Sequence, residues 1–481
     1  MLQRINVNTK GVLTLLRKML ILTLSLLTCC IVAASAQALT LTDGEAVKDR
    51  FAANPRPIKD IGDPYVLKAG DEYFTFATGG SIGFNVWRSA DLSTFSKEKA
   101  VKKIDWVSDS YWAPEVFEVG GRYYMFFTGR WKENGSLRIG VAIADQPQGP
   151  YEDAIGGPLF DFGHAVIDGT LVYDDAGVPY MIYSRDCSEN VVGSYHESHL
   201  YGVQLADDLL STVGEAVLLT RPDAEWELKS GDYRWNEGPA VLKHDGKYYL
   251  FYSANYYGGK EYTLGVAVAD HPLGPYTKQA NNPVLNYIET PEKVIVSGPG
   301  HNSFFTVGDE IFTSYHTHTY PDVPSGNRQV HIDRVGFHAD GTAYINGPTV
   351  HKQLRPLDDA GLLNFISIAI TDDQHALLAD GDTCQAASSA AYVYTAKEAA
   401  FTWPKPVTAD MLLIYPALDQ PISGTVTING SLTAEFSYEP FYRRPGGYAL
   451  LTFEPTEITS LELTFDCESG VGEVMLIGEA K

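Results

Sequence analysis

A chain of 481 residues exceeds what one hydrophobic core usually organises, so two or more domains are expected. Glycine is frequent at 44 and methionine scarce at 6, while tyrosine and phenylalanine fall in short runs bounded by glycine, a pattern for strands rather than helices. The formal charge of −24 argues against nucleic acid and anionic lipid as partners and leaves a neutral ligand.

In chain order, the first element is a processing segment. Arg17 and Lys18 precede the apolar run MLILTLSLLTCCIVAA, and the small residues ASA at 34–36 suit cleavage before Gln37. This predicts a signal peptide over 1–36 and a secreted or periplasmic protein. A lipidated Cys29 is the weaker reading, because Thr28 stands where a small residue is needed. No later stretch is long and apolar enough to span a bilayer. Loss of the four basic residues of 1–36 takes the charge from −24 to −28.

A repeat follows. APEVFEVGGRYYMFFTGR at 113–130 aligns without gaps to GPAVLKHDGKYYLFYSAN at 238–255, and LRIGVAIADQPQGPY at 137–151 to YTLGVAVADHPLGPY at 262–276. The opening unit recurs from Asp63 (DPYVLKAGDEYFTFATG) and His301 (HNSFFTVGDEIFTSYH), and more loosely from Gly169. Each unit reads as a strand, a tight glycine turn and an aromatic strand, with a third strand visible in two copies. Five such units predict an all-β chain with a five-bladed β-propeller over 37–355. After QLRPLDD the pattern changes. Alternating segments such as GTVTING, YALLTFE and SLELTFD predict a small C-terminal β-sandwich over 356–481. Cys384 and Cys467 fall together there and could pair after export, leaving Cys187 free.

The first strand of every propeller blade lines the central axis, so the residues entering those strands gather at one mouth. The repeat register puts Asp63, Trp112, Asp168, Glu237 and His301 there. Each has a plain alternative. Asp63 before proline and Asp168 before glycine are turn initiators, Trp112 is a core residue, and His301 is a hydrogen-bonded histidine. Glu237 before Gly-Pro is harder to explain that way, since glutamate is a poor turn former. Three carboxylates crowded at one mouth cost stability and raise one another's pKa, which favours chemistry. A pair of carboxyl groups that donate and accept protons suits glycoside hydrolysis.

GDPYVL, YWAPEV, IDGTLVYDDAG, NEGPAV and GPGHNS, in this order across 60–340, resemble the family 43 glycoside hydrolases, inverting enzymes of plant cell-wall hemicellulose and pectin. The resemblance implies Asp63 as general base, Glu237 as general acid and Asp168 as the carboxylate that raises the acid's pKa. It implies a calcium ion on the axis approached by His301, and Arg328 touching sugar hydroxyls, for which a surface salt bridge is the alternative; Trp112 is a candidate sugar platform from its place at the mouth. Two departures stand out: IDGT lacks the Pro or Ala often found after the aspartate, and 185–236 is long, with SYHESHLYG at its start. The Glu-Gly pair at the acid separates this chain from retaining relatives that carry Glu-Cys. The expected substrate is an oligo- or polysaccharide releasing α-L-arabinofuranose, with β-xylosidase and galactofuranosidase as alternatives, and a non-catalytic carbohydrate-binding propeller as the reading from another class. A monomer or small homo-oligomer is expected.

Overall fold

The computed structural model describes residues 39–41, 45–79, 82–101, 103–370, 375–383, 393–417, 420–440, 446–466 and 470–480. The expected signal peptide and the Cys384–Cys467 pair lie outside these. The protein is all-β: the α-helix among the described residues is the single turn Leu357–Ala360. No described helix is long and apolar enough to cross a membrane.

The repeats fold as antiparallel sheets, each wound outward from its first strand. The first sheet comprises β1 (Tyr65–Ala69), β2 (Glu72–Phe76), β3 (Asn85–Ser89) and β4 (Ser96–Lys99). The second comprises β5 (Trp112–Val119), β6 (Arg122–Arg130), β7 (Leu137–Ala144) and β8 (Glu152–Asp153). A third set, β9 (Val166–Tyr173), β10 (Pro179–Arg185), β11 (Tyr195–Leu205) and β12 (Thr212–Thr220), joins a fourth, β13 (Tyr233–His244), β14 (Lys247–Ala254), β15 (Thr263–Ala269) and β16 (Thr277–Lys278). The join is a short parallel pairing of β11 with β13, so these eight strands and the short strand Val191–Val192, paired with β11, form one continuous sheet. The last set is β17 (Gly300–Val307), β18 (Glu310–His318), β19 (Arg328–Phe337) and β20 (Ala343–Ile345).

Local chemistry explains the hairpins. Gly120-Gly121 and Asp245-Gly246 have positive φ at both central positions, the two-residue turn whose twist matches the flanking strands. The strands β14 (KYYLFYSA) and β6 carry large apolar residues on both faces because each sheet packs between two others. The first strands touch in cyclic order: β1 meets β5, β5 meets β9, β9 meets β13, β13 meets β17, and β17 returns to β1.

The C-terminal residues form one more sheet, ordered β21 (Leu362–Asn364), β26 (Val471–Glu479), β22 (Glu398–Pro416), β25 (Ala449–Phe465), β23 (Ile422–Ile428) and β24 (Leu432–Tyr438). Alternation along β22 serves two cores. Leu412 and Ile414 join Phe401, Trp403 and Leu476 inside, while Met411, Leu413 and Tyr415 face Phe51, Leu354 and Leu362. A two-pronged Arg50–Asp410 pair, both contacts 2.7 Å, reinforces that seam. Thr40–Leu41, expected with the first domain, instead pairs with Leu451 and Thr452 of β25.

Candidate active site

Every inner strand enters the ring through the same irregularity. Asp63, Ala113, Asp168, Gly238 and His301 have φ of 56°, 43°, 57°, 54° and 52°. Four are not glycine, and the left-handed region costs such residues about 1–3 kcal/mol each. Their N–H groups are all satisfied from the preceding sheet. Ala113 donates to Thr78 Oγ1 (3.0 Å), Asp168 to Thr128 Oγ1 (3.0 Å), Gly238 to Asp168 Oδ2 (3.0 Å), His301 to Ser253 Oγ (2.7 Å) and Asp63 to His316 Nδ1 (3.2 Å).

This corrects the register. Trp112 and Glu237 are not equivalent to Asp63, Asp168 and His301; Ala113 and Gly238 are, and the two functional side chains stand one residue earlier. The physical reason is a β-bulge. Pairing slips between Trp112 and Glu115, Ile167 and Thr170, Glu237 and Ala240, and Gly300 and Ser303. A bulge opposes two residues to one and re-aims their side chains, so either of the two can face the axis. All six expected residues (Asp63, Trp112, Asp168, Glu237, His301 and Arg328) line one cavity of about 390 Å³.

Within it the three carboxyl groups differ in charge state. Burial alone would raise the Asp63 pKa, but the Arg328 guanidinium at 2.7 Å and the His301 ring at 3.3 Å hold it well below the usual carboxylate range. Thr78 Oγ1 donates a further hydrogen bond to it. His316 contributes no charge: its Nδ1 must accept the Asp63 N–H, and burial together with Arg328 pushes its pKa down to about 3. Glu237 is the opposite case. Burial first, then the Asp168 carboxylate, pushes its pKa well above the ordinary value, although Tyr262 donates its hydroxyl at 2.9 Å. Asp168 lies between them, raised to about 6 by burial and by Asp63, with His301 and the Gly238 N–H opposing. The cavity thus holds one carboxyl group whose surroundings favour the ionised form and one whose surroundings favour the protonated form.

Arg328 is no surface ion pair. Its side chain is 11% exposed and lies against Gly62, where a Cβ would meet Cζ at 1.9 Å, so only glycine lets it reach Asp63. At Gly169, the glycine of IDGT, a Cβ would meet the flexible end of Met181, with Sδ at 2.7 Å. His301 lies beside Asp63, and Asn302, 1% exposed, has no protein partner for its amide. Among the described residues no three His, Cys, Asp or Glu side chains converge to hold a metal. Sequence reasoning missed Thr78, Asp186, Tyr262 and His316. Thr78, Thr128, Ser253 and His316 each stand fifteen positions after Asp63, Ala113, Gly238 and His301, so the repeat did carry a signal for three of those buttresses and for the imidazole. Asp186, which lines the cavity and adds negative charge near Asp168 and Glu237, falls outside the repeat.

A cyclic array of strand entrances presenting one carboxyl group held low in pKa and one held high suits acid–base hydrolysis of glycosidic bonds. The chain belongs to glycosyl hydrolases family 43, whose pattern matches residues 52–343. The crystal structure of a thermostable family-43 glycoside hydrolase superposes with a TM-score of 0.60 at 42% identity, covering 63% of this chain and 98% of that one. A β-D-galactofuranosidase of Aspergillus niger is 28% identical over 283 residues, 54% of this chain and 72% of the relative. An arabinoxylan arabinofuranohydrolase of Paenibacillus polymyxa is 25% identical over 61% of this chain, which spans about half (49%) of that relative.

Proposed function

We propose that this family 43 enzyme is an exported inverting glycosidase releasing α-L-arabinofuranosyl residues from arabinan or arabinoxylan. The observation that carries the mechanism is the split ionisation of Asp63 and Glu237 in one cavity. Asp63 is the base that takes a proton from the attacking water, and Glu237 is the acid that protonates the departing glycosidic oxygen. Asp168 keeps Glu237 protonated by its own charge and fixes the acid's strand by accepting the Gly238 N–H. Trp112 and Arg328 border the sugar. The arabinose preference is supported by the arabinofuranohydrolase relative; the galactofuranosidase relative supports the alternative furanose, and a β-xylosidase is the remaining one. The fold reading is a five-bladed propeller over 37–355, supported by the cyclic order of inner strands, with a β-sandwich over 356–481. Export rests on the signal-like segment 1–36.

The decisive experiment is Glu237→Gln on two substrates. Turnover of an arabino-oligosaccharide should fall by about 10²–10⁴-fold, because its leaving alcohol needs a proton. The loss should shrink on an aryl arabinofuranoside with an acidic phenol, whereas Asp63→Asn should depress both alike. Equal losses for Glu237→Gln on the two substrates contradict the acid role. Running the same panel with aryl xyloside and galactofuranoside separates the three sugars.

A calcium ion on the axis is part of the same proposal. The protein would supply little more than the His301 ring, with water completing the shell. When bound it would add positive charge near the acids. Chelation should lower the melting temperature by a few degrees; an unchanged melt removes the ion from the proposal.

A further inference from the structure

The long insertion between the third and fourth repeats builds a wall beside the cavity that the hydrolytic step does not use. His196 of β11 pairs with Tyr233 of β13, and their rings stack at 4.7 Å with planes 11° apart. Tyr233 stacks on Trp235 at 5.8 Å, Trp235 meets Tyr256 at 5.7 Å, and Tyr256 meets Tyr257 at 5.0 Å. Trp235, Tyr256 and Tyr257 line the cavity, so the column starts inside and runs out of it. Tyr233, Tyr256 and Tyr257 are 46%, 45% and 39% exposed, a contiguous aromatic surface that water alone does not explain.

The wall is held from behind. Side chains alternate along β13, so Arg234 points opposite to Tyr233 and Trp235. It donates to Glu197 at 3.0 Å and covers the Tyr195 ring at 3.3 Å, while Glu197, 5% exposed, also holds His199 at 2.8 Å. A buried ionic network thus fixes the strand that presents the rings. Pre-ordered rings lose little entropy on binding.

Direction follows from the same strand. Tyr233, Trp235 and Glu237 are alternate residues of β13, so the rings lie in line with the acid, Tyr233 about 13 Å from it along the strand. An acid that protonates the departing oxygen stands on the leaving-group side of the scissile bond. We propose that the His196–Tyr233–Trp235–Tyr256–Tyr257 wall binds the leaving-group side of the substrate, the neutral glycan chain from which the terminal sugar is cut. Aromatic faces match the C–H faces of sugar rings, and tyrosine hydroxyls match sugar hydroxyls. The direction rests on Glu237 being the acid.

The test compares the intact protein with Tyr233→Ala on arabinoxylo-oligosaccharides and an aryl arabinofuranoside. The ratio of kcat/KM for oligosaccharide over aryl glycoside should fall about tenfold, mostly through KM, and Tyr233→Phe should restore it. Calorimetry on the Glu237→Gln background gives a readout independent of turnover: adding Tyr233→Ala should raise the oligosaccharide Kd about tenfold. An unchanged ratio with unchanged Kd overturns the wall as a glycan site, even if the aryl glycoside is hydrolysed normally. Conversely, weakened oligosaccharide binding in a protein that hydrolyses no aryl glycoside supports the wall and overturns the glycosidase assignment instead.

Discussion

With Asp63 as the proposed base, Arg328 is expected to set the acidic edge of activity. Asp63 is buried, and burial alone would raise its pKa; the guanidinium at 2.7 Å is the strongest influence in the other direction. A base must be ionised to work, so its folded pKa marks the pH below which activity is lost. Arg328→Leu leaves the burial and removes the opposing charge, and an opposite charge at this range is worth about 1–3 pKa units. The acidic limb of kcat/KM should therefore move upward by roughly that amount, while the alkaline limb, governed by Glu237, moves little. Arg328→Lys should lie between. A pH profile on an aryl arabinofuranoside decides it, and an acidic limb that stays put would show that His301 alone keeps Asp63 ionised. The sign for stability is the same: a carboxyl with a depressed folded pKa contributes above its unfolded value near 3.9 and loses that contribution as pH falls through the folded one.

At the scale of the element, the bulged strand entrance is the unit that makes the site. Thr128 is fully buried, and its hydroxyl accepts the N–H of Asp168. Thr128→Val keeps the shape and leaves that N–H unpaired, which costs about 1–3 kcal/mol. A melt lower by several degrees and a loss of turnover are expected, with Thr128→Ser restoring both; an unperturbed Thr128→Val enzyme would mean the left-handed turn holds itself. The sequence made much of this unit legible. The DP, AP and GP entrances and the YYxF second strands at 123–126 and 248–251 located the sheets, and convergence on one axis picked out Asp63, Asp168 and Glu237. It misplaced Trp112 and Glu237 by one position, because spacing cannot reveal an inserted bulge residue when Ala113 carries the left-handed turn as readily as Gly238. Tyr262 and Asp186 stayed hidden since they reach the cavity from outside the aligned entrances.

For the whole molecule, a short strand pair is one of several links between the two halves, beside Arg50–Asp410 and the pairing of Thr40–Leu41 with β25. Phe51–Ala52 pairs with Gln353–Leu354, and the same residues cover one face of β22, so both ends of the repeat region are fastened to the C-terminal sheet. The ring closes at the proposed base: the N–H of Asp63, near the start, is held by His316, near the end. Synthesis runs from the first to the last, and His316 and Arg328, 253 and 265 positions after Asp63, must emerge and fold before either stands beside it. A nascent or truncated chain carries all three carboxyl groups in sequence yet no ionised base in a finished pocket. Hydrolytic activity is therefore expected to signal a completed repeat region, and assays on chains truncated before residue 300 and after residue 355 should register activity only in the longer; an active shorter chain would show that Asp63 does not need the last sheet.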